Sequence, residues 1–142
     1  MAELDDATYD QITDLSEAGN ERADAGDLDG ALALFRQAWD LVPEPKQDWE
    51  AATWILAAIG DVSFLKGDFT KTRDALQFAM HCPDAIGNPF LHLRLGQAQL
   101  ELGDEDRAAD ELMRAFMGAG HEIFDNDDPK YLDFLRTRAE ID

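Results

Sequence analysis

The sequence predicts an all-α fold, an α-solenoid of three helix-turn-helix units followed by a C-terminal capping helix. Three observations carry that expectation. First, a set of landmarks recurs three times. The segments Leu15-Ser16-Glu17-Ala18-Gly19, Leu56-Ala57-Ala58-Ile59-Gly60 and His92-Leu93-Arg94-Leu95-Gly96 align, and seven residues after each glycine stands another, in Gly26-Asp27, Gly67-Asp68 and Gly103-Asp104. Nine residues beyond each second glycine comes a large apolar residue with an alanine three later: Phe35 and Ala38, Leu76 and Ala79, Leu112 and Ala115. The whole set shifts by 41 and then 36 residues, a period at which supersecondary units stack side by side. Second, the stretch from Asp48 to Asp68 points Trp49, Trp54, Ile55, Leu56, Ile59, Val62, Phe64 and Leu65 in nearly every direction around the helical wheel. A helix wet on one side would show a single apolar stripe, so this one belongs in the middle of a stack. Third, an apolar segment near the C-terminus is placed to close the open end. Stacked repeats need such a cap, because a terminal unit otherwise leaves its apolar face in water.

Each unit reads as two helices joined at a Gly-Asp turn. The glycine can end the first helix in a left-handed conformation and the aspartate can cap the second. One domain is expected over residues 1–142, with units at about 8–43, 48–83 and 88–119. Leu4 to Tyr9 either extends the first helix or frays. Gly19 with Ala31, and Gly96 with Ala108, allow close helix crossings, while Phe35, Leu41, Leu76 and Leu112 are expected to fill the layer between units. Asp48 is the N-cap expected for the first helix of the second unit, and Gly67 its stop. Residues 118–128 read as loop. Asp128-Pro129 then supplies an N-cap and a first-turn proline for the capping helix at about 129–140, which carries Tyr131, Leu132, Phe134 and Leu135. The sum is seven helices and no strand.

The net charge of −19 disfavours nucleic acid and anionic membranes as partners, since both need a cationic face. Acidic residues outnumber basic ones 13 to 3 before Trp49, 5 to 3 from Trp49 to Asn88, and 13 to 6 beyond. Both ends are therefore acidic around a nearly neutral middle, which favours a basic protein partner or simple solvation. No uninterrupted apolar run reaches membrane-spanning length. The first residues, MAELDD, have neither a basic nor an apolar leader region, so no signal peptide is expected. The single cysteine, Cys82, fits a reducing cytoplasm.

The repeat pattern resembles the tetratricopeptide repeat, in which a small residue midway along the first helix faces an alanine in the second. The resemblance covers about residues 8–120, and Pro43 falls where that family places a closing proline. Three departures are visible. Thr72 replaces the expected alanine, Glu105 an apolar residue, and Gly120 a proline. The junction Pro43-Glu44-Pro45-Lys46-Gln47 is also longer than usual for the repeat.

No chemical motif stands out. His81, Cys82 and His92 lack a fourth metal ligand, and the adjacent pair cannot easily converge on one ion. Asp125-Asn126-Asp127-Asp128 lacks the glycine and terminal glutamate of a calcium loop and reads as a solvated cap. His121 and Glu122 have no partner nucleophile fixed beside them. No metal, cofactor or catalytic residue is expected.

The resemblance implies instead a concave groove lined by the first helix of each unit. Alignment places Thr13, Ser16, Asn20 and Ala23 there from unit one; Trp54, Ala57, Asp61 and Phe64 from unit two; and Phe90, Leu93, Gln97 and Leu100 from unit three. Each quartet steps by 3, 4 and 3 along one helical face. The expected partner-binding residues are Asn20, Trp54, Asp61, Phe64, Phe90, Leu93 and Gln97, with aromatic anchors beside polar groups. The competing expectation makes Trp54, Phe64 and Phe90 core residues under a last helix folded into the groove. Clamping of a chaperone's C-terminal carboxylate is disfavoured, because Asn20 alone fits and Asp61 and Phe90 oppose it. The segments DWEAATWILAAIGD, FLKGDF, IGNPFLHLRLGQ and DDPKYLDFL are similar to tetratricopeptide-type immunity proteins of bacterial polymorphic or contact-dependent toxin systems. That resemblance implies a cytoplasmic protein that binds a cognate toxin domain with a basic surface and neutralises it without catalysis. The alternative is a scaffold or secretion-type chaperone that holds an extended peptide in the groove; self-association through one end is a third expectation.

Overall fold

The computed structural model describes residues 4–141. Its helices run in three antiparallel pairs: α1 (Asp6–Asp24) with α2 (Leu28–Leu41), α3 (Glu50–Leu65) with α4 (Phe69–Ala79), and α5 (Pro89–Glu101) with α6 (Glu105–Ala119). A shorter helix, α7 (Lys130–Arg138), follows, and 3-10 turns occupy Lys46–Asp48 and His121–Phe124. There is no strand among the described residues. The architecture is the α-solenoid that the repeats predict.

The turn between paired helices is built the same way each time. Gly26, Gly67 and Gly103 adopt φ of +87°, +82° and +87°, where a side chain would be strained. The following Asp N–H reaches back to the carbonyl of Arg22, Ser63 or Gln99 at 2.8, 2.9 and 2.9 Å, a Schellman closure of the first helix. Asp27 and Asp68 then cap the second helix through the N–H of Gly30 and Lys71. Asp104 makes no such bond and faces Arg107 at 3.6 Å instead.

Large side chains of the second helices lie over glycines of the first. A Cβ on Gly60 would meet Leu76 at 2.7 Å and one on Gly96 would meet Leu112 at 2.8 Å, with Phe35 covering Gly19 more tightly still. These residues therefore fasten each unit internally, where the sequence placed them mainly between units. Their full burial contributes on the order of 2 kcal/mol each. Thr72 is explained too: it is buried, and its hydroxyl lies 3.1 Å from both the Gly60 and Asp68 carbonyls. A small polar residue thus stitches α4 to α3 where alanine would only fit.

Asp48 is not the cap of α3. The 3-10 turn absorbs it, and Trp49 takes the N-cap position without a side-chain bond. The long junction sets this register, because the Trp49 indole N–H is tied to the Pro43 carbonyl at 2.9 Å. At α7 Pro129 takes the N-cap position expected of Asp128, and the Asp128 carboxylate accepts the Lys130 N–H at 3.0 Å from one residue earlier.

Between units the main packing is of a second helix on the next first helix, α2 on α3 and α4 on α5, with α3 also touching α1 and α5; α2 and α4 meet through long side chains such as Trp39 and Phe78, 5.7 Å apart. The first helices thus lie side by side, on the side that the tetratricopeptide resemblance makes the concave face. Buried side chains run along it from Ile12, Phe35 and Ile55, through Leu76, Leu91 and Leu95, to Leu112, Phe124, Tyr131 and Leu135.

Candidate functional site

The concave side divides into a closed half and an open half. In the closed half the chain's own C-terminal segment sits against α5. Arg94 is the hub: its Nε donates to Asp61 at 2.8 Å, and its Nη1 donates to Gln97 at 2.8 Å and to Asp127 at 3.1 Å. Gln97 in turn donates to the second oxygen of Asp127 at 3.0 Å. The guanidinium also lies over the rings of Phe64 and Phe90, at 4.4 and 5.2 Å, a geometry that favours a weakly hydrated cation. Two carboxylates, an amide and two aromatic faces thus satisfy one arginine.

That network changes the reading of several expected contact residues. Leu93 and Gln97 are 2% and 0% exposed. They are not on the open surface, because residues 121–127 and α7 cover this face of α5. Phe64 is partly buried against Arg94, Phe69 and Tyr131, so for this residue the packing role is the one observed. Asp61 is half-spent on Arg94. Nor is the acidic run before α7 only a solvated cap, since Asp127 points inward. Sequence reasoning missed Arg94 altogether. The available signal was the step of 4 and 3 that puts Phe90, Arg94 and Gln97 on one helical face.

The open half belongs to α1 and α3. Asn20 is exposed there, Trp54 is 37% exposed, and Phe90 at its border is 40% exposed. Tyr9 packs its ring edge-on against Trp54, with centroids 6.4 Å apart. Asp6, Asp10, Asp14, Glu17, Glu21 and Asp24 recur at steps of 3 or 4 and are all exposed, so they share one face of α1. That face is opposite the one that Ile12, Leu15 and Gly19 turn to α2, and it borders the groove about a quarter-turn from Thr13, Ser16 and Ala23, which are half-buried. Among the described residues no Lys or Arg side chain pairs with any of the six; Arg22 pairs with Asp27 instead. A cleft of about 260 Å³ opens between the first turns of α3 and α5, beside Trp54.

The histidines do not converge. His92 is buried, with Nδ1 2.5 Å from Glu111 and Nε2 accepting the Gly87 N–H at 2.9 Å, while His81 is exposed and His121 packs edge-on to Phe116. Cys82 is buried, which pushes its thiol pKa up. No group of three or more metal-type ligands occurs among the described residues, and no helix there is long and apolar enough to cross a membrane.

Comparison with solved structures agrees with the fold. The C-terminal tetratricopeptide-repeat domain of an FK506-binding protein from Plasmodium falciparum superposes with a TM-score of 0.74 at 14% identity, covering 95% of this chain and 90% of that one. The Yersinia enterocolitica type III secretion chaperone SycD, in complex with a peptide of the translocator YopD, gives 0.71 at 13% identity over 94% and 95% of the two chains. The first tetratricopeptide domain of Spaghetti (RPAP3), bound to an HSP90 peptide, gives 0.68 at 16% identity over 90% and 92%. The fold is therefore that of a tetratricopeptide-type α-solenoid. No family model matches the sequence, and no curated protein does either.

Proposed function

We propose that this protein is a non-catalytic interaction module that binds a basic partner on the open half of its concave face. The partner is the toxin domain of a bacterial polymorphic or contact-dependent system, which the protein neutralises as a cytoplasmic immunity protein. The observation that carries the reading is the pairing of exposed Trp54, Tyr9 and Phe90 with six unneutralised carboxylates along α1. The acids steer a cationic surface into contact and raise the on-rate, while the aromatics supply area and anchoring at little entropic cost. Bulk alone then blocks the toxin's active site.

The test is co-expression with the toxin domain that this reading expects the neighbouring reading frame to encode. Wild type protects the host cell. Trp54→Ala with Phe90→Ala, folded by circular dichroism, loses protection; full protection by that variant sinks the reading.

A second reading, a chaperone that holds an extended peptide, draws on two of the structural neighbours, whose complexes contain peptides. Salt separates the two. Binding steered by the α1 acids slows sharply as ionic strength rises, whereas an aromatic-anchored peptide responds little.

A further inference from the structure

We propose that the cleft beside Trp54 is a subsite for one basic side chain, a lysine or arginine of the partner polypeptide; this rests on the reading above and assigns it a specificity element. The cleft has the chemistry of a long cationic side chain. Its lining combines buried Leu91, half-buried Ala57 and the exposed Trp54 with the exposed carboxylates of Glu50 and Asp84. No Lys, Arg or His lines it, so no side-chain cation of the chain pairs with the two carboxylates. A methylene stem laid on an apolar floor with its charged head among carboxylates is how lysine and arginine bury surface without losing solvation. An aromatic face adds attraction for the same head group.

The walls are fixed before any ligand arrives. The Thr53 hydroxyl donates to the Pro83 carbonyl at 2.7 Å, tying α3 to the turn that carries Asp84. Asp84 is held at φ +60°, the one non-glycine residue with positive φ among those described. Tyr9 braces Trp54 from α1. Asn88 Oδ1 accepts the N–H of Phe90 and Leu91 at 3.0 and 3.4 Å, so these donors of α5 are already occupied and do not call for an anion. Such preorganisation lowers the ordering cost of binding.

The experiment uses the full chain, 15N-labelled, titrated with Nα-acetyl-lysine amide and separately with Nα-acetyl-norleucine amide, at matched ionic strength. The two probes share the stem and differ in the charge. The expected result is a saturable shift of the Trp54 indole N–H and the Asn88 side-chain amide with the lysine probe. The norleucine probe should bind at least about tenfold more weakly, as should the lysine probe to Glu50→Gln/Asp84→Asn. Equal shifts from both probes would make this an apolar slot and overturn the proposal. So would lysine shifts confined to the α1 acids, shifts unchanged in the double variant, or no shifts at all. Full co-expression protection by Glu50→Gln/Asp84→Asn also removes the subsite, while leaving intact the wider reading that Trp54 and Phe90 test.

Discussion

Arg94 and Asp127 meet at 3.1 Å across the closed half of the groove, joining α5 to the segment that leads into α7. Both side chains are mostly withdrawn from water, so the bond is a clasp for the capping element more than a surface pair. Removing Arg94 leaves Asp127 with the Gln97 amide alone and takes the cation from Asp61 as well, a loss at the lower end of that for a broken buried pair, about 3 kcal/mol. Arg94→Ala should therefore lower the urea-unfolding free energy by about 3 kcal/mol, and Asp127→Asn by about 1 kcal/mol, since the amide still offers an acceptor. A double-mutant cycle should give a coupling above about 1 kcal/mol; additive effects would mean that the clasp holds nothing.

The covered glycines make a second prediction. Gly60→Ala pushes a methyl into Leu76, and overpacking of this kind costs about 1–3 kcal/mol. Leu76→Val makes room, so the double variant should recover part of the loss even though each single change destabilises. Thermal melts of the four proteins decide it.

Much of this fold was legible in the sequence because its landmarks are local. The turn glycines and their aspartates act within six residues of one another, and the glycine under Phe35, Leu76 or Leu112 lies one turn-and-helix away. The Arg94 network was not legible, since it joins residues 33 positions apart and depends on how residues 121–127 fold back. No periodicity records that return. Asp48 misled for a related reason: a good cap residue was drawn into a 3-10 turn by the pinning of Trp49 to Pro43. Among the expected contact residues, Trp54 and Phe90 remained open while Leu93 and Gln97 were enclosed. A helical face shows which residues point the same way, but not what comes to cover them.

Asp27 gives a pH prediction. The Gly30 N–H, and then Arg22, hold its carboxyl below the ordinary aspartate value of 3.8. Its stabilising contribution is therefore complete above that value and is lost as the pH falls through the lower, folded-state value. The gap in urea midpoint between wild type and Asp27→Asn should stay constant from pH 7 down to about 5 and narrow below about 4. A gap that widens in acid would contradict the assignment.

Cys82 should be chemically quiet. Burial raises its thiol pKa and shields the sulfur, so Ellman's reagent at pH 8 should modify the native protein on the order of a hundredfold more slowly than the protein in urea. Equal rates would place the sulfur in open solvent.

The central claim is that the open half of the groove, with Trp54 at its centre, is the contact surface. Its most direct test is the dissociation constant of the complex with the proposed toxin partner, measured by calorimetry for wild type and for Trp54→Ala. If Trp54 anchors the interface, its truncation costs about 2–3 kcal/mol, a weakening of roughly a hundredfold, with the melting temperature of the free protein little changed. An unchanged dissociation constant for Trp54→Ala would contradict the account and move the binding surface away from the groove.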